Sequence, residues 1–260
     1  MTTTTESHPF PTPTPTPGLD VAALQSVLQQ LANAIKNERI NSERLFLQSE
    51  ALASLLAFIR PAAPFPPTRG WAASPDFLML ETETIIEVAR RDGLEGLRVA
   101  EASSGVSTLT AAYTLKRLGA DPASAGVTSF EHDAEYATKT RRLLELHDLV
   151  DFATVIHAPL VDQELEGEVF PWYDPRSIAE LEPISVLVVD GPPGRLGPIA
   201  RFPALPRFLD RLRPGAIVIA DDTARQGETE MLRRWSAAHP EATCEVIDTE
   251  KGAGRLRFPV

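Results

Sequence analysis

The spacing of apolar positions changes character along the chain. From Asp20, a suitable N-cap, to Arg60 there is no Pro or Gly, and apolar residues return at heptad intervals. Val21, Leu24, Leu28, Leu31 and Ile35 form one seam, and Leu45, Leu52, Leu56 and Ile59 continue it past the polar interruptions Glu38, Ser42 and Ser49. This predicts one long helix or a helical hairpin over 19–60. Such an arm either pairs with a second copy as a coiled coil, through residues 20–60, or packs on the protein's own body. Before it, residues 1–18 are Thr/Pro-rich with little to bury, and are expected to be disordered. After it, "PAAPFPPTRG" (61–70) reads as a Pro-rich linker and places a domain boundary ahead of a second domain, 71–260.

Beyond the linker, Ser74 as N-cap and Pro75 at the first helical position start a helix in "SPDFLMLETETIIEVARR". Strand-like runs then alternate with helical patterns. The strands are "LRVAEA" (97–102), "GVTSFE" (126–131), "DFATVIHA" (151–158), "ISVLVVD" (184–190) and "AIVIAD" (216–221), and the helices fall near 107–118, 133–146, 202–212 and 224–238. Repeated strand-then-helix units imply an α/β fold: a doubly wound, mainly parallel sheet with helices on both faces. The closing "TCEVIDTE", "KGAG" and "RLRFPV" predict an antiparallel hairpin at the sheet edge.

Composition narrows the chemistry. A formal charge of -11 weighs against nucleic acid as a partner, because phosphate backbones are held by clustered Lys and Arg. Neutral or cationic small molecules suit the overall charge better. The single cysteine, Cys244, excludes an internal disulfide and reads as a small strand residue, and no Cys/His spacing suits zinc. With no signal-like start and no stretch of apolar residues long enough for a membrane span, a cytoplasmic protein is expected.

In a doubly wound sheet the ligand crevice lies beyond the C-terminal strand ends. Those ends carry Glu101, Glu131, His157 with Ala158, Asp190, and Asp221 with Asp222. The first crossover, "EASSGVSTL", tests for a dinucleotide. A pyrophosphate loop needs G-x-G-x-x-G, and the matching positions here are Ser103, Gly105 and Thr108. Two missing glycines disfavour NAD and FAD. A cofactor ending in an amino acid needs only one glycine plus hydroxyl and amide donors, and S-adenosylmethionine is such a molecule. Glu131 at the second strand end suits the hydroxyls of a ribose.

The ordered set "VAEASSGVSTL", "SFEHDAEYA", "VIHAPL", "WYD", "VLVVDGPPG", "ARFPALP" and "IADDTARQGE" resembles the class I S-adenosylmethionine-dependent methyltransferases, in particular the bacterial branch grouped as methyltransferase family 24. The resemblance spans about residues 70–260 and leaves the arm outside. It implies a Rossmann-like sheet of seven strands, the last antiparallel. Carried onto this sequence, it sets Glu101 and Gly105 along the methionine, with Ser103, Ser104 and Ser107 as donors. Glu131 would hold the ribose, His132 would flank the adenine and Ala158 would lie against it, while Asp190 would lie near the ammonium or the reacting methyl. Family members usually carry glycine where Ser103 stands, so a positive φ there would strain the serine.

Methyl transfer to a hydroxyl also needs a base, and Asp190, Asp222 and His157 are the candidates. Asp190, Asp221 and Asp222 together offer oxygen ligands for Mg²⁺, against which Arg225 could pair with Asp222 and Glu228 instead. "DGPPGRLGPIARFPALP" reads as a lid, with Arg195 and Arg201 either binding an anionic acceptor or solvated at the surface. "FPWYD" offers Trp172 and Tyr173 as an aromatic wall or as packing residues. The expected activity is O-methylation of a small-molecule or saccharide-type acceptor. The alternatives are an aminopropyltransferase-like enzyme on the same fold and a non-catalytic cofactor-binding scaffold that uses the arm.

Overall fold

The computed structural model describes residues 21–260, so the expected tail and the N-cap at Asp20 lie outside the described residues. The chain divides into two compact units, one ending at Arg44 and one running from Leu45 to Val260. Helix α1 (Val21–Ile59) is continuous, which rules out the helical hairpin. In the first unit its seam residues Leu24, Leu28, Leu31 and Ile35 are exposed. In the second unit its last turns bury Leu55 and Ile59, and the Pro-rich segment 61–70 belongs to that same unit.

The second unit is built from α2 (Pro75–Asp92), β1 (Arg98–Ala102), α3 (Val106–Leu118), β2 (Gly126–Glu131), α4 (Ala134–Leu146), β3 (Ala153–His157), β4 (Leu160–Leu165), β5 (Glu168–Tyr173), β6 (Ile184–Val189), α5 (Ala204–Phe208), β7 (Leu212–Asp221), α6 (Gln226–Ala238), β8 (Thr243–Ile247) and β9 (Ala253–Arg257). Seven strands form one sheet in the order β3-β2-β1-β6-β7-β9-β8. The pairs β1–β2, β2–β3, β1–β6 and β6–β7 are parallel, whereas β9 runs antiparallel to both neighbours. The expected edge hairpin is therefore present, with β9 inserted between β7 and β8.

Alternation along the central strands explains the layers, because successive side chains leave a strand on opposite faces. Val99, Val186, Val188, Ile217 and Ile219 pack with Phe77, Ile85 and Leu109 from α2 and α3. Ala100, Leu187, Val189, Val218 and Ala220 point the other way, toward Phe208 of α5, Met231 and Trp235 of α6, and Trp172 of β5. Two buried faces account for "VLVV" and "IVIA" reading as unbroken apolar runs. No helix among the described residues is long and apolar enough to cross a membrane.

Three local readings need correction. The helix expected over 202–212 shrinks to Ala204–Phe208 and a 3₁₀ turn at Leu209–Arg211, because Pro203 and Pro206 supply no N–H, and β7 begins already at Leu212. Ser74 takes the N-cap position of α2, but its hydroxyl donates to Asp76 Oδ1 at 2.5 Å rather than capping the helix. Strands β4 and β5 form a separate antiparallel hairpin that the strand reading missed. Glu166 and Gly167 close it with φ of 53° and 80°, the two positive values that a two-residue type I′ turn requires.

Candidate functional site

A cavity of about 330 Å³ opens at the C-terminal ends of β1, β2, β6 and β7, across the point where strand order reverses between β1 and β6. Of the expected residues, Ser103, Ser104, Ser107, Glu131, His132, Asp190 and Asp222 line it. Glu101, Gly105, His157, Ala158 and Asp221 do not.

Glu101 is fully buried beneath the β1–α3 turn. Its carboxylate accepts from the hydroxyls of Ser107, of Thr108 at 2.5 Å and of Ser129 at 2.7 Å. Burial raises its pKa to about 7, with those hydroxyls holding it back. It therefore fixes the turn from below. Thr108 completes that turn by accepting the Gly105 N–H at 3.1 Å. Ser103 adopts φ 141° and Gly105 φ 142°, so the serine does occupy a left-handed backbone region. Its N–H donates to the Phe130 carbonyl at 3.1 Å, which ties β1 to the end of β2.

Glu131 closes β2 at the cavity wall. It accepts from Ser104 Oγ at 3.0 Å and from the Asp133 N–H at 2.9 Å, with His132 Nδ1 3.0 Å away. Ala158 is wholly buried, and its N–H donates to the Glu131 carbonyl at 2.8 Å, so it supports this wall from behind. His157 is exposed at the end of β3, where Nε2 donates to the His132 carbonyl across 3.2 Å.

The opposite wall is organised by a buried arginine. Arg201 is 4% exposed and reaches Asp222 at 2.8 Å, Asp190 at 3.2 Å and Glu228 at 3.9 Å, while its remaining N–H groups donate to the carbonyls of Pro192 and Asp221. Arg225 adds a second contact to Asp222 at 2.8 Å, as anticipated, and lies 4.0 Å from Glu228. Asp222 itself sits at φ 65°. Burial is the main cause that raises the pKa values of Asp190 and Asp221, to about 6 and about 8.

One oxygen from each of Asp190, Asp221 and Asp222 lies within 4.8 Å of the others. Two of these three carboxylates already hold the Arg201 guanidinium, so the cluster contains its own cation and fits Mg²⁺ poorly.

Several cavity residues escaped the sequence reading. Trp71, Tyr136 and Lys251 line it, as does the segment from Pro192 to Arg195, the expected lid. Of the aromatic pair, Trp172 is core and Tyr173 lines the cavity with a buried hydroxyl that lacks a hydrogen-bond partner. Glu81 of α2 is fully buried, and burial, then Glu101 and Asp190, push it well above the usual carboxylate range. Its signal was the helical stripe Phe77, Leu78, Glu81, Thr84, Ile85 and Val88, all buried, on which it is the one acid.

The sequence model of methyltransferase family 24, described as a methyltransferase domain, matches residues 102–223, from the end of β1 past the end of β7. Over that stretch the chain is similar to a methyltransferase domain, and its sheet has the Rossmann-like fold of the class I S-adenosylmethionine-dependent methyltransferases. In fold it is similar to the SAH-bound methyltransferase PaMTH1 from Podospora anserina, with TM-score 0.56, 14% identity, and coverage of 86% of this chain and 97% of that one. It is likewise similar to cofactor-bound Rv0187 from MTB, at TM-score 0.52 and 18% identity over 80% of this chain and 89% of that one. A putative O-methyltransferase from Klebsiella pneumoniae gives TM-score 0.51 and 18% identity over 84% and 97%. No curated protein matches the sequence. The cavity lining offers groups of the chemistry S-adenosylmethionine would need, among them the Glu131 and Asp190 carboxylates and the Tyr173 hydroxyl, which lacks a hydrogen-bond partner.

Proposed function

We propose that the protein methylates an oxygen atom of a small molecule, with Asp190 as general base. When bound, S-adenosylmethionine supplies a methyl group activated on a sulfonium. Glu131 accepts the ribose hydroxyls and Ser103, Ser104 and Ser107 offer donors along the turn. The Asp190 carboxylate would take the proton from the acceptor hydroxyl as that oxygen receives the methyl group. The walls exclude water and hold the reactants in line.

The observation that supports this assignment is the contrast among the three base candidates. Asp222 is held by two guanidiniums at 2.8 Å, and His157 is exposed outside the cavity lining. Asp190 lines the cavity with one longer contact, 3.2 Å, and its pKa near 6 lies close to a neutral working pH. Calorimetry with S-adenosylhomocysteine tests the reading: wild type binds, and Glu131→Ala binds roughly ten- to a hundredfold more weakly, for hydrogen bonds to a charged group. Failure of wild type to bind overturns it.

The non-catalytic scaffold reading draws support from the φ of 141° at Ser103. That reading predicts binding without turnover, and Asp190→Asn then changes nothing in a methyl-transfer assay. For the arm, the exposed Leu24, Leu28, Leu31 and Ile35 favour a second copy as partner. Sedimentation should show a dimer that Leu28→Glu with Leu31→Glu dissociates, and a monomeric wild type removes this proposal.

A further inference from the structure

Around Trp71 the cavity lining has the opposite electrostatic character from the protein as a whole. Trp71 is 80% exposed there, and the Arg195 guanidinium carbon lies 5.9 Å from the centre of its ring. Lys251 Nζ donates to the carbonyls of Ala72 at 2.8 Å and Gly70 at 3.4 Å, which pins the segment carrying Trp71. Arg225 spends part of its guanidinium on Asp222 and keeps 53% of its side chain exposed. Among the described residues neither Arg195 nor Lys251 has a carboxylate within ion-pairing distance. All four residues line the same cavity.

A chain of net charge -11 has carboxylates in excess, so exposed cations without one are not its default surface. An indole left in water beside them is equally uneconomical for a surface, because an aromatic ring that size contributes most when stacked. A guanidinium over a ring face uses the cation–π attraction and leaves its N–H edge free for an anion. The two features together describe a receptor with one flat apolar wall and one anion-binding edge.

We propose that the methyl acceptor is a planar, anionic small molecule, whose ring stacks on Trp71 and whose carboxylate or phosphate is held by Arg195 and Arg225. Lys251 fixes the stacking wall and adds charge. This rests on the methyltransferase reading and narrows its substrate class; the neutral or cationic partners that overall charge suggested are disfavoured beside Trp71.

The test uses full-length protein saturated with S-adenosylhomocysteine. Trp172 and Trp235 are fully buried, so a fluorescence change on adding a cavity ligand reports Trp71. Benzoate, phenyl phosphate, benzamide and benzylammonium serve as probes. Benzoate or phenyl phosphate should bind about tenfold more tightly than benzamide or benzylammonium, the ratio expected when charge-assisted hydrogen bonds replace neutral ones. The benzoate and phosphate arms decide which anion is preferred. Arg195→Gln should remove most of that preference and leave benzamide unchanged, and Trp71→Phe should abolish the signal. Equal or tighter binding of benzamide or benzylammonium, no binding of any probe, or a preference that survives Arg195→Gln each overturns the proposal. Calorimetry on the same samples separates the two readings: protein that binds S-adenosylhomocysteine without preferring anions loses only the acceptor class.

Discussion

Replacing Ser103 with glycine should make the protein more stable, although it removes a side chain and a hydrogen bond. Ser103 holds φ 141°, a region that costs a residue with a Cβ about 1–3 kcal/mol. Against that gain stand two losses. Glycine loses about 0.5–1 kcal/mol more conformational entropy on folding. The Ser103 hydroxyl also donates to Glu101 across 3.3 Å, a long bond to a carboxylate already served by three other hydroxyls, worth about 0.5 kcal/mol. The balance is a gain of about 1 kcal/mol, or about 2–4 °C in Tm for a domain of this size. Ser103→Ala separates the contributions, since it loses the hydroxyl and keeps the strain, and should fall slightly below wild type. Urea unfolding followed by two probes, to check two-state behaviour, measures both variants. The strain argument is refuted if Ser103→Gly is no more stable than Ser103→Ala.

Arg201→Met should cost about 3–5 kcal/mol, since removing the guanidinium leaves Asp190 without its ion-pair partner and Asp222 and Glu228 with only the half-exposed Arg225. A loss under about 1 kcal/mol in the same urea titration would show that these carboxylates are solvated or protonated instead. Stability should also depend on pH in one direction. Glu101, Asp190 and Asp221 have folded pKa values raised to about 7, 6 and 8, so between roughly pH 4, where carboxyls titrate in the unfolded chain, and pH 8 the native state binds more protons. Stability should therefore be highest near the acid end of that window and decline as pH rises through it. Asp221→Asn should flatten the upper part of the decline, and a stability that climbs from pH 5 to 8 contradicts the assignment.

The central sheet was legible because burial on both faces leaves a mark in every residue: "VLVV" and "IVIA" have no polar position to offer water. The hairpin of β4 and β5 left a weaker mark. Asp162, Glu164 and Glu168 interrupt it with charge and Pro171 sits inside the second strand, so only the Glu166–Gly167 turn could have revealed it. Strand ends identified three cavity residues by position, namely Glu131, Asp190 and Asp222. Arg201 shows the limit. Its burial depends on Asp190, Asp222 and Glu228, which follow β6, follow β7 and begin α6, and no local spacing records that meeting. Trp71 and Lys251 were hidden for the same reason, being 180 residues apart and joined only through backbone carbonyls.

The cavity brings both signs of charge together, with an excess of buried carboxylates. Beneath and beside the cofactor region lie Glu81, Glu101, Asp190, Asp221 and Asp222, and Arg201 is the only buried Arg or Lys among the described residues. Buried carboxylates in such excess are held partly protonated, as the raised values of Glu81, Glu101, Asp190 and Asp221 record. A cationic ligand entering that region relieves the excess by drawing the carboxylates back toward ionisation, so its binding should release protons near neutral pH. An anionic ligand is repelled by those carboxylates and drawn instead to Arg195, Arg225 and Lys251, which line the same cavity, Arg225 beside Asp222. Calorimetry in buffers of different ionisation enthalpy reads the proton count directly, and a cofactor that binds with no proton exchange would show that the acidic floor is not what receives it.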